Sequence, residues 1–167
     1  MPHIPLPPLP GIAALLAAHP DTAGALNNLA ETLLRGPSPL SPAERETIAA
    51  HVSAGNGCTF CARTHAAVAR RLAAVDTTTA KMGALLAIAD RVRVDGRSVT
   101  ADDIAAARAA GADDRTIHDT VLIAAAFCMF NRYVDGLATV APEDQASYDR
   151  HAAHLSAHGY QQPPAPG

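Results

Sequence analysis

The chain has little aromatic character and few cysteines. Of its 167 residues 4% are aromatic and none is tryptophan, which leaves few side chains on which a bulky aromatic ligand could stack. The three cysteines are an odd number, and two of them stand close together as Cys58 and Cys61, which is unlike the disulfide framework of a small secreted protein. This usage predicts a reducing compartment and a redox or metal-binding role for the close pair.

Clustered positive charge and long apolar runs are also missing. The net charge is −3 and the 13 Lys and Arg residues are scattered apart from Arg70-Arg71, so we expect binding neither to nucleic acid nor to a membrane surface. The longest apolar run, residues 121–130, is about half of the roughly 20 residues that cross a bilayer. Residues 1–10 are rich in proline and lack the basic segment of a signal peptide. We therefore expect a cytoplasmic protein.

Alternating β-branched runs typical of strands are absent, whereas alanine-rich segments with apolar residues at three- and four-residue spacing recur. These patterns predict an all-α protein with one domain over residues 11–158, between a proline-rich leader at 1–10 and a disordered tail at 159–167. The predicted helices span about 11–18, 21–34, 41–55, 58–72, 78–93, 100–111, 114–140 and 142–158.

Two of these helices should form a hairpin. Ser41-Pro42-Ala43-Glu44 combines an N-cap hydroxyl, a proline at the first helical position and a glutamate at the third, which is the pattern of a capping box. Gly55-Asn56-Gly57 then ends this helix, and Cys58 opens the next one. If the two helices pack antiparallel, a rise of about 1.5 Å per residue brings Glu46 and His65 to similar heights.

The cysteines of this hairpin are placed for thiol chemistry. Both lie in the first turn of a helix, where unpaired backbone N–H groups favour a thiolate, and Cys61 is one turn before His65. Glu46 could orient His65, and His65 could take the proton of Cys61. Two other interpretations stay open. The thiols could be buried small residues, or Cys58, Cys61 and His65 could be three of the four ligands that a zinc site needs.

The segment Glu46-x11-Cys58-Thr59-Phe60-Cys61-x3-His65 resembles the core of the alkylhydroperoxidase AhpD-like family, within the carboxymuconolactone decarboxylase-like superfamily. Residues 40–46, 52–58 and 130–136 are similar to its peroxidase-related branch, and the resemblance covers about 40–72 and 100–138. It implies an all-helical bundle, with the CxxC at the N-terminus of a helix that follows an antiparallel helix. It also implies a homo-oligomer, a trimer or hexamer, with neither cofactor nor metal.

The resemblance assigns roles by motif position. Cys61 matches the peroxidatic cysteine, Cys58 matches its resolving partner and proton donor, and Glu46 and His65 match a proton relay. The implied substrate is a small hydroperoxide, and the implied reductant is a dithiol of thioredoxin or lipoyl type, with a peroxiredoxin-type protein as a further partner. Phe60 stands where the best-studied AhpD pattern has a second histidine. The alternatives are a non-redox decarboxylase-like enzyme and a non-enzymatic, redox-sensing helical oligomer.

Several other polar residues have structural interpretations. His51 could border the thiols or be an ordinary surface or core histidine, and Cys128 fits a small hydrophobic residue on a buried helix. Asn131 and Asp135 are interpreted as forming hydrogen bonds across a helix contact, in preference to a catalytic role. Three histidines share one helical face, which is interpreted as solvated: His151, His154 and His158.

Overall fold

The computed structural model describes residues 1–73 and 78–161, and these ranges contain helices and no strands. The predicted all-α fold is thereby confirmed. A single turn of 3₁₀ helix, Gly96–Ser98, separates the fifth and sixth α-helices. The α-helices are α1 Ile12–Ala18, α2 Pro20–Arg35, α3 Pro42–Gly55, α4 Thr59–Leu72, α5 Ala80–Val94, α6 Ala101–Ala109, α7 Asp114–Gly136 and α8 Gln145–His158. None of the helices in the described ranges is both long enough and apolar enough to cross a membrane.

Side-chain caps set several helix starts. The Ser41 hydroxyl accepts from the Glu44 backbone N–H at 3.2 Å, and the Glu44 carboxylate accepts from the Ser41 N–H at 2.8 Å, so the predicted capping box is confirmed. Thr100 and Asp103 form the same reciprocal pair at the start of α6. Each box satisfies two backbone donors that the helix itself leaves unpaired.

Three predicted boundaries were wrong by a few residues. Helix α2 begins at Pro20, and Asp21 lies in its first turn instead of capping it. Helix α7 ends at Gly136 instead of about 140, because Ala138 adopts a left-handed φ of 50° and the chain turns away. Helix α8 begins at Gln145, since the Asp144 carboxylate accepts from the Ser147 N–H at 2.8 Å.

The hairpin of α3 and α4 lies at the centre of the fold. Gly57 joins the two helices with a φ of 77°, a left-handed conformation that glycine adopts at low cost. Helix α3 also packs on α5 and α7, and α4 packs on α8. The buried side chains of α3 therefore belong to a core shared with α5 and α7, and those of α4 to a smaller core closed by α8.

Both ends of the described chain lie against this body. The leader is held by His3 N–H donating to the Leu137 carbonyl at 3.0 Å and by Gly11 N–H donating to the Val140 carbonyl at 2.9 Å. At the other end, the residues immediately after α8 were assigned from the sequence to a disordered tail. Tyr160 is instead hydrogen-bonded to α2 and α3, while residues 162–167 lie outside the described ranges.

Candidate active site

The hairpin brings a carboxylate and an imidazole together inside the protein. Glu46 on α3 is completely buried and His65 on α4 is 8% exposed. Glu46 Oε2 lies 2.7 Å from His65 Nδ1, although the two residues are 19 positions apart. Because a carboxylate only accepts, Nδ1 carries the hydrogen, and Nε2 is the ring nitrogen left to exchange a proton with another group.

The second oxygen of Glu46 has two further donors. Arg35 Nη1 lies 2.7 Å from Oε1, and the Tyr160 hydroxyl donates to the same atom at 2.6 Å. Burial alone would raise the pKa of Glu46, but His65, Arg35 and Tyr160 outweigh burial and hold that pKa below its ordinary value. Glu46 is therefore an ionised carboxylate in the interior, with each oxygen paired.

Aromatic rings fix the orientation of His65. The Phe127 ring meets it edge-on, with centroids 4.6 Å apart and an interplanar angle of 85°. The Tyr160 ring lies nearly parallel to it at 6.0 Å and 20°. Since two rings and a carboxylate surround the imidazole, its rotation is restricted.

The two cysteines lie at the start of α4 as free thiols. Cys58 is the N-cap residue, Cys61 is in the first turn, and both are buried. The hydrogen bond from the Cys58 thiol lowers the pKa of Cys61 against the opposing effect of burial, and the nearby His65 lowers it further. The same hydrogen bond, together with burial, raises the pKa of Cys58. Cys61 is thus the more acidic thiol of the pair, and Cys58 is the less acidic one.

A buried amide from α7 supports this arrangement. Asn131 donates to the Ser53 hydroxyl at 2.9 Å and accepts from Asn56 at 2.9 Å, which ties α7 to the end of α3. Its side chain also hydrogen-bonds the Cys61 sulfur and lowers the pKa of that thiol. Asn131 therefore connects helix packing with the thiol site.

A cavity of about 200 Å³ opens beside Cys61 and His65. Cys58 is not among the residues of its wall. Most of the remaining lining is apolar and comes from five helices and the tail: Ile12, Ala13, Leu16, Leu26, Ala30, Phe60, Phe127, Phe130, Leu155 and Gly159. A molecule in the cavity would meet one thiol, three imidazoles and a largely hydrocarbon surface.

Phe60 separates this cavity from a second one. The second cavity, about 550 Å³, lies under the proline-rich leader, and both Phe60 and His151 line it as well as the first. The two rings are 6.2 Å apart, and Phe60 is also 6.2 Å from the ring of Tyr148. The residue between the two cysteines is therefore part of a partition wall.

A metal site is not formed by these groups. Within residues 1–73 and 78–161, no three His, Cys, Asp or Glu side chains are arranged to hold a metal ion. The zinc interpretation of Cys58, Cys61 and His65 needed a fourth ligand, and the described residues hold no group of side chains arranged to supply such a site.

Comparison with known proteins finds a family match over part of the chain. Residues 20–92 match the model of the carboxymuconolactone decarboxylase family. An uncharacterized peroxidase-related protein from Silicibacter sp. TM1040 has a similar structure, with a TM-score of 0.69 and 26% sequence identity over 81% of this chain and 78% of that one. These matches support an AhpD-like protein of the carboxymuconolactone decarboxylase superfamily.

A second solved structure supports the same fold. It is the alkylhydroperoxidase AhpD core of an uncharacterized peroxidase-related protein from Ralstonia eutropha JMP134, with a TM-score of 0.73 and 23% identity over 86% of this chain and 81% of that one. No curated protein matches the sequence.

The structure brings together all four side chains that the sequence singled out. Glu46 and His65 are directly hydrogen-bonded, and Cys61 lies beside His65 with Cys58 behind it. Their chemical roles stay predictions.

Two residues of the candidate site were missed by sequence reasoning. Arg35 lies just beyond the helix predicted over 21–34, and Tyr160 was placed in the tail. Both contact Glu46 from positions remote in sequence, so no local spacing could reveal them. The one available signal was that a buried carboxylate needs more donors than a single histidine can supply.

The remaining polar residues are distributed differently from their predictions. His51 is half-buried and pairs with Asp90 on α5 at 3.0 Å, away from the thiols. Cys128 is partly buried, accepting from Asn56 at 3.7 Å. The face of histidines on α8 is not uniformly solvated, because His151 and His154 line the cavity. Burial lowers the pKa of His151, and the nearby His65 lowers it further.

Proposed function

We propose that this protein is a dithiol oxidoreductase that reduces small hydroperoxides or exchanges disulfides with a redox partner. The observation that carries the proposal is the placement of two free thiols at the start of α4, next to the buried Glu46–His65 pair, with Cys61 lining the cavity. In this proposal Cys61 attacks, Cys58 resolves, and His65 and Glu46 move protons. This chemistry needs an attacking thiol that faces the cavity, here Cys61, and a resolving thiol behind it, here Cys58.

The first step forms a sulfenic acid. The Cys61 thiolate attacks the outer oxygen of the hydroperoxide, an S–O bond forms, and the O–O bond breaks. The sulfur is oxidised by two electrons and the peroxide is reduced to an alkoxide. The proton that Cys61 lost to His65 returns to the alkoxide, which leaves as the alcohol. Glu46 stabilises the imidazolium that exists between these two transfers.

The second step forms the disulfide. The Cys58 sulfur attacks the Cys61 sulfenic acid, water leaves with the Cys58 proton, and the two sulfurs become bonded. An external dithiol then exchanges with this disulfide, so that both protein thiols return to the reduced state and the partner becomes a disulfide. A thioredoxin-type or lipoyl-type dithiol, or a peroxiredoxin-type partner, would fill that role.

The cavity supports a small substrate. Its volume of about 200 Å³ is several times the roughly 30 Å³ that one water occupies in the liquid. The apolar lining favours an organic hydroperoxide over hydrogen peroxide, because burying its hydrocarbon part is favourable. Phe60 supplies no proton between the cysteines, so the Cys58 thiol is the remaining donor at that position.

Thiol counting tests the proposal. One equivalent of tert-butyl hydroperoxide added to the reduced protein should lower its free thiols from three to one. The product should contain a Cys58–Cys61 disulfide by peptide mapping. Cys61→Ser should abolish peroxide consumption, whereas the matched Cys128→Ser should keep it.

Two other functions would give different results. A non-redox decarboxylase-like enzyme would keep its activity after both thiols are alkylated. A redox-sensing oligomer would change its size on oxidation while consuming at most one equivalent of peroxide in the presence of excess dithiol. Full peroxide consumption by Cys61→Ser would show that the assignment of the attacking sulfur is wrong.

A further inference from the structure

The segment that follows α8 is held against the body by specific contacts. The Tyr160 backbone N–H donates to Glu31 Oε2 on α2 at 2.7 Å. Gly159 has a φ of 70°, and a Cβ at this position would collide with the same Glu31 carboxylate. Glycine is therefore needed there for both its backbone conformation and its small size. These contacts fix where the Tyr160 side chain enters the interior.

The Tyr160 hydroxyl reaches the carboxylate of the candidate site. It lies 2.6 Å from Glu46 Oε1 and 3.3 Å from His65 Nδ1, so its single hydrogen is directed to Glu46. The Arg35 guanidinium lies over the Tyr160 ring at 5.1 Å and shares the same oxygen of Glu46. With two donors on Oε1, only Oε2 remains available to His65.

We propose that Tyr160 is a positioning residue that acts on Cys61 through Glu46 and His65. This inference rests on the proposed function for its chemical meaning, and its geometry stands independently of it. The hydroxyl fixes the rotation of the Glu46 carboxylate, and the carboxylate fixes the imidazole with Nδ1 protonated. The other nitrogen, Nε2, is then the one held ready to accept the Cys61 proton.

The protonation state of Tyr160 fits this role. Burial raises the pKa of its hydroxyl well above the ordinary value, and the Glu46 carboxylate raises it further. Tyr160 therefore stays protonated and can only donate to Glu46. Its loss would leave one oxygen of a buried charge with Arg35 alone.

Other charged and titratable groups surround Glu46 and His65, and their titration would contribute to any pH dependence measured for this site. Helix α7 contributes the Phe127 ring, which does not titrate, on one side of His65. The titratable groups are Arg35 and Glu31 from α2, Arg45 from α3, Cys58 and Cys61 at the start of α4, Asp135 from α7 and His151 from α8.

The experiment is a double-mutant cycle between Tyr160→Phe and Glu46→Gln. Tyr160→Phe keeps the ring and removes only the hydroxyl. Tyr148→Phe is the matched control, because Tyr148 is also buried but donates to the Pro142 carbonyl at 2.9 Å, away from Glu46. The readouts are the rate of alkylation of Cys61 by iodoacetamide and the rate of its oxidation by tert-butyl hydroperoxide, both in a Cys128→Ser background.

Tyr160→Phe should slow Cys61 alkylation at neutral pH about tenfold, the order expected for one hydrogen bond to a charged group. In the Glu46→Gln background the same substitution should change the rate less than about twofold, because the route through Glu46 is already broken. Tyr148→Phe should have equal small effects in both backgrounds. Nitrogen NMR of the His65 ring should show one tautomer in the native protein and a mixture in Tyr160→Phe.

Additive effects of Tyr160→Phe and Glu46→Gln would overturn the proposal, and so would an unchanged rate in Tyr160→Phe. If Tyr160→Phe does not fold, Glu31→Ala removes the acceptor of the Tyr160 N–H, releases the tail backbone and should show the same non-additivity with Glu46→Gln; additivity there overturns the inference as well. A non-additive alkylation cycle in a protein that neither reacts with peroxide nor exchanges disulfides with a dithiol would refute the proposed function and leave the positioning role intact.

Discussion

The Cys58 thiol donates a hydrogen bond to Cys61, and this one contact moves the pKa values of the two thiols in opposite directions. The residue nearer the cavity becomes more acidic and the residue behind it less acidic. The asymmetry therefore comes from the pair itself as well as from the imidazole beside it.

Cys58→Ala should raise the pKa of Cys61 by about one unit, because the thiolate loses a hydrogen bond. Ultraviolet absorbance of the thiolate as a function of pH measures this change, with Cys128→Ser as the control that should leave the titration unmoved. A Cys61 titration identical in Cys58→Ala and in the native protein would mean that His65 and Asn131 alone set its acidity.

Glu46→Gln should lower the free energy of unfolding by about 3 kcal/mol at neutral pH, because Arg35 would keep a buried charge without its partner. The exposed Glu143→Gln is the control and should change stability by less than about 0.5 kcal/mol. Urea denaturation measures both.

Glu46→Gln should also change how the free energy of unfolding depends on pH in the acid range. The pKa of Glu46 in the folded protein is lower than its ordinary value of 4.5, so its contribution to stability is fully present above that value and is lost as the pH falls through the lower folded pKa. The difference in stability between the native protein and Glu46→Gln should therefore shrink below about pH 4.5. A difference that stays constant down to pH 3 would contradict an ionised Glu46.

Gly11→Ala should destabilise the protein by about 1–3 kcal/mol. Gly11 has a left-handed φ of 54°, and a Cβ there would run into the Phe60 ring. Gly24→Ala is the control on α2, where the added methyl meets no atom within 4 Å and should stabilise the helix by about 0.5–1 kcal/mol. Thermal unfolding should shift in opposite directions for the two variants, and a shift in the same direction would refute the assigned contact.

Thr64→Val and Thr120→Val should change the free energy of unfolding by different amounts, although both side chains are buried. The Thr64 hydroxyl has no hydrogen-bond partner among the described residues, whereas the Thr120 hydroxyl donates to the Thr116 carbonyl at 2.9 Å. Removing the unpaired hydroxyl should be neutral or stabilising, and removing the paired one should cost about 1 kcal/mol. Chemical denaturation of the two variants in parallel decides the ranking.

The expected homo-oligomer can be tested on α7. Leu122 and Met129 are 41% and 43% exposed, and they lie two turns apart on the outer side of that helix. If this side is buried between subunits, Met129→Glu should reduce a trimer or hexamer to smaller species in multi-angle light scattering, with Arg132→Glu as a polar control. An unchanged mass in Met129→Glu would place the subunit contact elsewhere.

Much of the fold follows from local sequence signals. The capping box at Ser41 and the glycines around Asn56 are short-range patterns, and they fix the α3–α4 hairpin well enough to predict the meeting of Glu46 and His65. Helix ends were less predictable, because the end of α7 depends on the backbone turn at Ala138.

The completion of the site could not be predicted in the same way. Arg35 and Tyr160 contact Glu46 from α2 and from beyond α8, and only the packing of those helices brings them there. The direct pair is encoded over 19 residues, whereas the Tyr160 contact spans 114. Sequence spacing can find the first kind of contact, and only tertiary structure reveals the second.

Because Tyr160 lies beyond α8 and contacts Glu46, the functional unit extends further along the chain than the helical domain does. A fragment that stops at His158 would retain the eight α-helices of the described ranges, and spectroscopy would find their helix content unchanged. It would nevertheless lack one of the three groups bound to Glu46. Domain limits drawn from secondary structure alone would thus yield a well-folded protein with an altered centre, and expression boundaries for AhpD-like chains are better drawn from contacts to the buried carboxylate.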